Sequence, residues 1–268
     1  VAPDIDAILA AGHPLLHRLA IIAAAGVGGR LIARDARAWP LPWASRWIVL
    51  AAVGLGSLAG ATLPGLFAGG AVGSDAAAFV VSQPDMLHAA AAEYLLGPKT
   101  VVGGLLLGFV AAVVVKPLFA IRAETSDAFA RGTCAMMAIG RLGCIAQHCC
   151  FGVVLPPSWA WLGWDLGDGL PRLPVQAFEA VLLFALWYVI ERLHRRGALR
   201  DRRLFLFFAV YGAGRFLLEF GREPIATVQW GLGYYQWLAA LLCGIGLYRL
   251  VKPVAAAPAV ATGATPAG

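Results

Sequence analysis

Charge is what this chain has least of. Only 13% of its 268 residues are Asp, Glu, Lys or Arg, against 60% that are hydrophobic. A soluble domain carries about 25% charged and about 45 to 50% apolar residues, so an ordinary water-soluble fold is excluded and an integral membrane protein is expected. Cysteine is sparse, at five, with no Cys-x-x-Cys pair and no extracellular repeat, which argues against a disulfide scaffold. The strict alternation of a transmembrane barrel is also missing. The net charge of +6 is therefore read by where it falls along the chain, and no nucleic-acid partner is expected. Val1 is not followed by the basic, apolar, small-residue order of a cleavable signal, so the first apolar segment is expected to be kept as a span.

What is there is long apolar runs. Seven are able to cross a bilayer, at about 20 residues each: Leu15–Ile32, Trp47–Gly69, Thr100–Phe119, Phe129–Cys149, Val175–Ile190, Leu204–Phe220 and Gly231–Leu250. The fold class expected is all-α, a bundle of seven transmembrane helices. Basic residues crowd alternate connections: Arg30, Arg34, Arg37 and Arg46; then Lys116, Arg122 and Arg131; then Arg192, Arg195, Arg196, Arg200, Arg202 and Arg203; then Arg249 and Lys252. Those ends belong on the cytoplasmic side, which puts the N-terminus outside and the C-terminus inside. The polytopic membrane domain is expected to take in residues 1–254, with a disordered cytoplasmic tail over 255–268. Two long external segments remain. Gly70–Pro98, with Asp75, Asp85, His88 and Glu93, either caps a cavity or is plain interfacial structure, and Val153–Arg172, with Trp159, Trp161 and Trp164, suits a headgroup belt.

One stretch breaks the apolar pattern. Gly140–Gly152 packs Arg141, Cys144, His148, Cys149 and Cys150 into the end of a span, where an ionisable group costs roughly 2.5 to 3.5 kcal/mol unless it faces protein or water. On a continuous helix Cys134, Arg141, Cys144 and His148 share one stripe, with Cys149 beside it. The bland alternative is that Arg141 snorkels, the thiols are small buried hydrophobes and His148 sits at the interface. The sixth span carries Tyr211, Arg215, Glu219 and Arg222 on one stripe, the fifth enters with Arg172, Pro174, Gln176 and Glu179, and the third with Lys99, Gly103 and Gly104. All four aim polar residues at one level near the outer leaflet. Arg215 with Glu219 alone would read as a structural ion pair; convergence from four spans points to a wet or headgroup-filled cavity. Several arginines suit an anion, because the guanidinium fork matches phosphate oxygens, and a phospholipid headgroup is the anion at that depth.

These residues carry a resemblance. Gly140-Arg141-Leu142-Gly143 through Phe151-Gly152 resembles the phosphatidylglycerol-binding motif of the bacterial prolipoprotein diacylglyceryl transferase family, without a gap. Arg172-Leu173-Pro174-Val175-Gln176-Ala177-Phe178-Glu179 is similar to that family's Arg-His-Pro-Ser-Gln-Leu-Tyr-Glu motif, and Tyr211 to Pro224 to its Tyr-Gly-x-x-Arg-x-x-x-Glu-x-x-Arg-x-Pro motif. Gly103-Gly104 matches its His-Gly-Gly, and Gln236 the Gln of its last span. Val102 and Leu173 stand where the family has His, Cys144 where it has Asn and Cys149 where it has Glu; its first-span Tyr has no evident match.

The resemblance implies a multi-pass enzyme of the bacterial inner membrane that moves diacylglyceryl from phosphatidylglycerol to a lipobox thiol and releases glycerol phosphate. It implies that Arg141, Arg215 and Arg222 hold the phosphate, that Glu219 orients the arginines and that Gly152 gives a close turn. The expected reading is a divergent phospholipid-dependent transferase. Its candidate catalytic residues are His148 as base, Cys149 or Cys150 as nucleophile, Arg215 and Glu219. Its candidate substrate-binding residues are Arg141, Cys144, Gly152, Gly103, Gly104, Gln176, Glu179, Tyr211 and Arg222. Phosphatidylglycerol or another anionic phospholipid is the expected partner, with a prolipoprotein or small thiol as acceptor, and neither a cofactor nor a metal is expected. The alternative is a thiol-redox or metal-binding membrane protein using Cys144, His148, Cys149 and Cys150 on the same scaffold.

Overall fold

The computed structural model of the protein describes residues 13–68, 100–150, 152–165, 169–222 and 227–252. Lys99, the acidic loop before it, Phe151 and the C-terminal tail lie outside the described residues. Seven α-helices occur among the described residues: α1 Pro14–Ala36, α2 Trp43–Ala68, α3 Val101–Leu118, α4 Ser126–Ala146, α5 Val175–Arg195, α6 Arg203–Glu219 and α7 Tyr234–Val251. A 3-10 turn, Pro157–Leu162, lies between α4 and α5. A short antiparallel pair, β1 Thr227–Gln229 and β2 Leu232–Gly233, leads into α7. Trp230 (φ 52°) and Gly231 (φ 73°) make its turn, the left-handed pair that a two-residue hairpin demands.

Among the described residues three stretches are long and apolar enough to cross a membrane: Pro14–Ala36, Trp43–Thr62 and Val101–Leu118. Their outward faces carry large apolar side chains such as Ile22, Leu55 and Val113, as expected of helices solvated by hydrocarbon. The helices α4, α5 and α6 read as less apolar because their inner faces hold buried charge: Arg131 on α4, Glu179 on α5, Arg203 and Arg215 on α6.

Small residues set the pairing. On α2, Gly56 and Gly60 back onto Leu107 and the Gly103 carbonyl of α3, and on α3 Gly108 backs onto Ser57. Gly28 of α1 meets the Gly132 carbonyl and Met136 of α4, and Gly246 of α7 meets Phe205 and Ala209 of α6. In each pair the absent Cβ lets two backbones touch, the contact on which helices in lipid depend when water supplies no driving force. The result is two paired arms, α1 with α4 and α2 with α3, joined through α5, α6 and α7. Phe205, Phe207, Phe208 and Tyr211 of α6 fill the centre, Phe207 stacked on Tyr211 at 5.6 Å and 8°.

Two sequence expectations change. Arg131 and Arg203, expected in basic connections, lie inside helices and are buried and paired. Arg131 forms a bidentate pair with Asp35 of α1 (2.6 and 2.7 Å) and reaches Glu191 of α5 at 3.1 Å. Arg203 pairs with Asp127 at 3.3 Å, while Asp127 also accepts the backbone N–H groups of Asp201 and Arg203, so a side chain from α4 caps the start of α6. The second change is at the end of α4. The helix stops at Ala146, and the polar stripe expected to run on to His148 does not exist.

Candidate functional site

The end of α4 is a chain reversal with a recognisable hydrogen-bond signature. The Cys149 N–H donates back to the Cys144 carbonyl (3.1 Å) and the His148 N–H to the Ile145 carbonyl (3.2 Å), with His148 between them at φ 53°. That is the two-bond helix terminator whose left-handed position is usually Gly. Cys150 is left-handed too, at φ 62°. An L-residue held there costs roughly 1 to 2 kcal/mol, and His148 and Cys150 both bear it.

The reversal folds Cys149 back over Cys144, its thiol donating to the Cys144 carbonyl at 3.7 Å. The Sγ atoms of Cys144, Cys149 and Cys150 all lie within 4.8 Å of one another. His148, grouped with them on sequence, is not part of that convergence; its Nδ1 is buried and has no partner among the described residues. Gly152 follows, its N–H on the Leu173 carbonyl at 2.8 Å, packed where a Cβ would strike the Gly221 carbonyl, Val175 and Leu173. Val153 donates to Gly221 and Leu173 to Val153, so one knot of backbone hydrogen bonds ties this loop to the entry of α5 and the exit of α6.

Glu179 sits at the centre, on the first turns of α5 and 1% exposed. Its Oε1 accepts Arg141 Nη2 of α4 at 2.7 Å and the Tyr211 hydroxyl of α6 at 2.7 Å. Its Oε2 faces Arg215 Nη1 of α6 at 3.7 Å. Arg215 Nη2 pairs with Glu219 Oε2 at 2.6 Å, an ion pair without hydrogen-bond alignment, and Arg222 Nη1 stands 3.9 Å from the same oxygen. Sequence reading placed Arg141, Glu179, Tyr211, Arg215, Glu219 and Arg222 at one level, and they meet there. Among the described residues three guanidiniums face two carboxylates, leaving one positive charge over. Arg215 Nη1 and both amide atoms of Gln176, one turn before Glu179 and fully buried, have no hydrogen-bond partner among the described residues. Buried polar atoms cost about 1 to 3 kcal/mol when unpaired, and the two donors among them, Arg215 Nη1 and Gln176 Nε2, are what an anion would satisfy.

Below this polar cluster lies an apolar cavity of about 650 Å³ between the α1–α4 and α2–α3 arms. Arg141 and Cys144 form part of its wall at one end, and Lys116 and Arg249 part of it at the other. Between them Ile21, Leu50, Val53, Leu105, Phe109 and Met137 make it greasy. An anion seat above an apolar slot has the shape of a phospholipid. Gly104 lines the slot and touches Ser57 and Ala61, whereas Gly103 contributes its carbonyl to the α2–α3 contact.

Two neighbours escaped sequence reading. His17 of α1 places a buried, unpartnered Nδ1 beside Gly143 of the motif. Tyr235, at the start of α7, lies close enough to Glu219, Arg215 and Arg222 to feel their charges. Neither belongs to a motif of its own; each is brought in by the packing of α1 on α4 and of α7 on α6.

The family model described as prolipoprotein diacylglyceryl transferase matches residues 19–252. A phosphatidylglycerol–prolipoprotein diacylglyceryl transferase of Bordetella bronchiseptica is 34% identical over 178 residues, covering 59% of this chain and 66% of that protein. Proteins of the same name from Bordetella parapertussis and Polynucleobacter necessarius are 35% identical over 156 residues and 33% over 122, covering 53% and 42% of this chain and 58% and 45% of their own. The chain thus spans less than two thirds of the length of these curated relatives.

Proposed function

The chain belongs to the prolipoprotein diacylglyceryl transferase family, and from that premise we propose that it is a phospholipid-dependent transferase that moves a diacylglyceryl or related lipid group to a thiol. The observation that carries this reading is the cluster of Arg141, Arg215 and Arg222 around Glu179 and Glu219, whose Arg141 also lines the apolar cavity. Phosphatidylglycerol, the donor in the relatives' names, fits that seat by charge and shape. The alternation of basic connections supports seven spans in a bacterial inner membrane, with the N-terminus outside and the C-terminus inside.

In the proposed reaction a thiolate sulfur attacks the glyceryl carbon, the C–S bond forms, and the C–O bond to phosphate breaks with its electron pair leaving on glycerol phosphate. Charge grows on that phosphate oxygen as the bond breaks, so guanidiniums fixed beforehand around it stabilise the transition state more than the ground state. Arg141 and Arg215 are fixed by Glu179, Arg215 and Arg222 by Glu219. Gln176 adds a fully buried amide and Tyr211 steadies Glu179. Gly152 brings the loop close to the entry of α5 and the exit of α6, and Gly104 keeps the slot wall free of side chain where acyl chains would lie, with Gly103 beside it at the α2–α3 contact. His148 is the proposed base for the incoming thiol, and Cys149 or Cys150 a proposed relay nucleophile, with Cys144 beside Arg141.

The test is transfer from labelled phosphatidylglycerol to a lipobox peptide by purified protein. Arg215→Gln should lower transfer by roughly 100-fold or more, the scale for losing one preorganised charge donor, while the protein still accumulates in membranes. Transfer at the parent rate would remove the arginines from the mechanism and sink the proposal.

A further inference from the structure

The transferase reading gives no necessary role to the three thiols as a group. Their convergence is built, since it depends on the terminator at Ala146–Cys149 and on two left-handed residues, His148 and Cys150. We propose that Cys144, Cys149 and Cys150 form a three-thiolate site for a thiophilic closed-shell metal ion, Zn²⁺ or its heavier relatives.

Geometry supports it first. Two sulfurs bound to one zinc at about 2.3 Å each lie about 4 Å apart, and the three Sγ atoms here are already within 4.8 Å of one another. The remaining gap is about 1 Å or less. Cys134 and Cys243 do not belong to the group; Cys134 is fully buried on α4, its thiol donating to the Leu183 carbonyl at 3.4 Å, and Cys243 is on α7.

Charge supports it second. Three thiols binding a dication release three protons to solvent and leave a complex of net charge −1, with no change of oxidation state. Arg141 Nη1 already donates to Cys144 Sγ at 3.7 Å, and the charges of Arg141 and Arg222 both bear on Cys150. An anionic complex in a half-buried position would otherwise be costly; here it has cations on two sides. Softness supports it third, because thiolate ligands select such ions over Mg²⁺ or Ca²⁺. All three thiols are half-buried.

Because Arg141 and Arg222 also face the carboxylates of the anion seat, metal and phospholipid would compete for the same guanidiniums. That consequence rests on the transferase reading, but metal binding itself does not.

The experiment uses full-length protein purified in detergent under reducing conditions and titrated with Cd²⁺, a spectroscopically visible stand-in for Zn²⁺. The expected result is one Cd²⁺ per chain with the ultraviolet absorption of cadmium–thiolate bonds, displaced by Zn²⁺. Cys144→Ser, Cys149→Ser and Cys150→Ser should each weaken it by roughly 100-fold or more, and Cys134→Ser and Cys243→Ser should leave it unchanged. Retained absorption in the three triad variants, loss of it in the Cys243→Ser control, or failure of Cd²⁺ to protect the three thiols from alkylation would each overturn the proposal. Transfer activity decides none of these outcomes, so the metal site and the transferase reading stand or fall separately.

Discussion

Arg141 and Arg215, from separate helices, face the two oxygens of one carboxylate: Arg141 Nη2 lies 2.7 Å from Glu179 Oε1 and Arg215 Nη1 3.7 Å from Oε2. Glu179 is therefore both the electrostatic anchor of the site and the strut between α4, α5 and α6. Replacing it by Gln leaves the buried Arg141 guanidinium without its carboxylate while Arg215 keeps Glu219, a loss worth about 3 to 5 kcal/mol when one partner of a buried pair is removed. Glu179→Gln should lower the unfolding temperature in detergent. Added anionic phospholipid should recover more of that loss in the variant than it adds to the parent, because the headgroup then supplies the missing negative charge. Equal stabilisation of both proteins by lipid would place the headgroup elsewhere.

His148 gives the second prediction, since strain and chemistry pull its substitutions in opposite directions. Gly suits φ 53° at no steric cost, so His148→Gly should stabilise the protein by about 1 kcal/mol. The same change removes the proposed base, and transfer should fall by roughly 100-fold or more. A thermal shift paired with a transfer assay reads both. A stabilised variant that transfers at the parent rate would mean that the imidazole has no part in the reaction.

Much of this site is legible along the chain and part of it is not. The helices fall where the apolar runs fall, since a run of about 20 apolar residues is long enough for several helical turns. Arg141, Glu179, Tyr211, Arg215 and Glu219 could be placed at one depth because helical spacing fixes depth and face together. The grouping of Cys144, Cys149 and Cys150 is legible as well, but the exclusion of His148 from it is not, because that depends on where α4 stops. His148 occupies a position that usually signals itself as Gly, so the sequence carries no sign that the stripe ends there. His17 and Tyr235 are missed for another reason: they reach the site by packing between helices, which no spacing within a single helix encodes. The partners of Arg131 likewise come from α1 and α5.

Two glycines on α2 separate the cavity's role from the fold's. Gly54 lines the cavity and an added Cβ there meets nothing within 4 Å, whereas a Cβ on Gly60 would strike the Gly103 carbonyl of α3. Gly54→Leu should keep or raise stability, since Gly is about 1 kcal/mol poorer than Ala within a helix and Leu lies near Ala. It should also fill part of the slot, raising the KM for phospholipid more than it lowers kcat. Gly60→Leu should instead push α2 off α3 and lower the unfolding temperature along with every activity. Unchanged KM in Gly54→Leu would show that acyl chains do not enter between the two arms.

The far end of the bundle makes the protein's stability depend on pH. His194, beyond the apolar run of α5, has its pKa lowered from 6.5, first by burial and then by the charge of Arg131, with Arg203 adding to it and Asp35 and Glu191 opposing. Its Nδ1 stands 3.1 Å from Arg203 Nη1, an arrangement that needs the neutral ring as acceptor. The unfolded chain thus takes up a proton near pH 6.5 while the native chain resists until a lower pH, and wherever the unfolded state binds more protons stability rises with pH. This contribution is complete above the unfolded value of 6.5 and is lost as pH falls from there through the lower native value. Unfolding temperatures measured across that window should fall on acidification, and His194→Gln should flatten the slope while leaving phospholipid transfer at neutral pH intact. A parent protein that gains stability on acidification, or a variant that keeps the full slope, would assign the pH dependence to other groups.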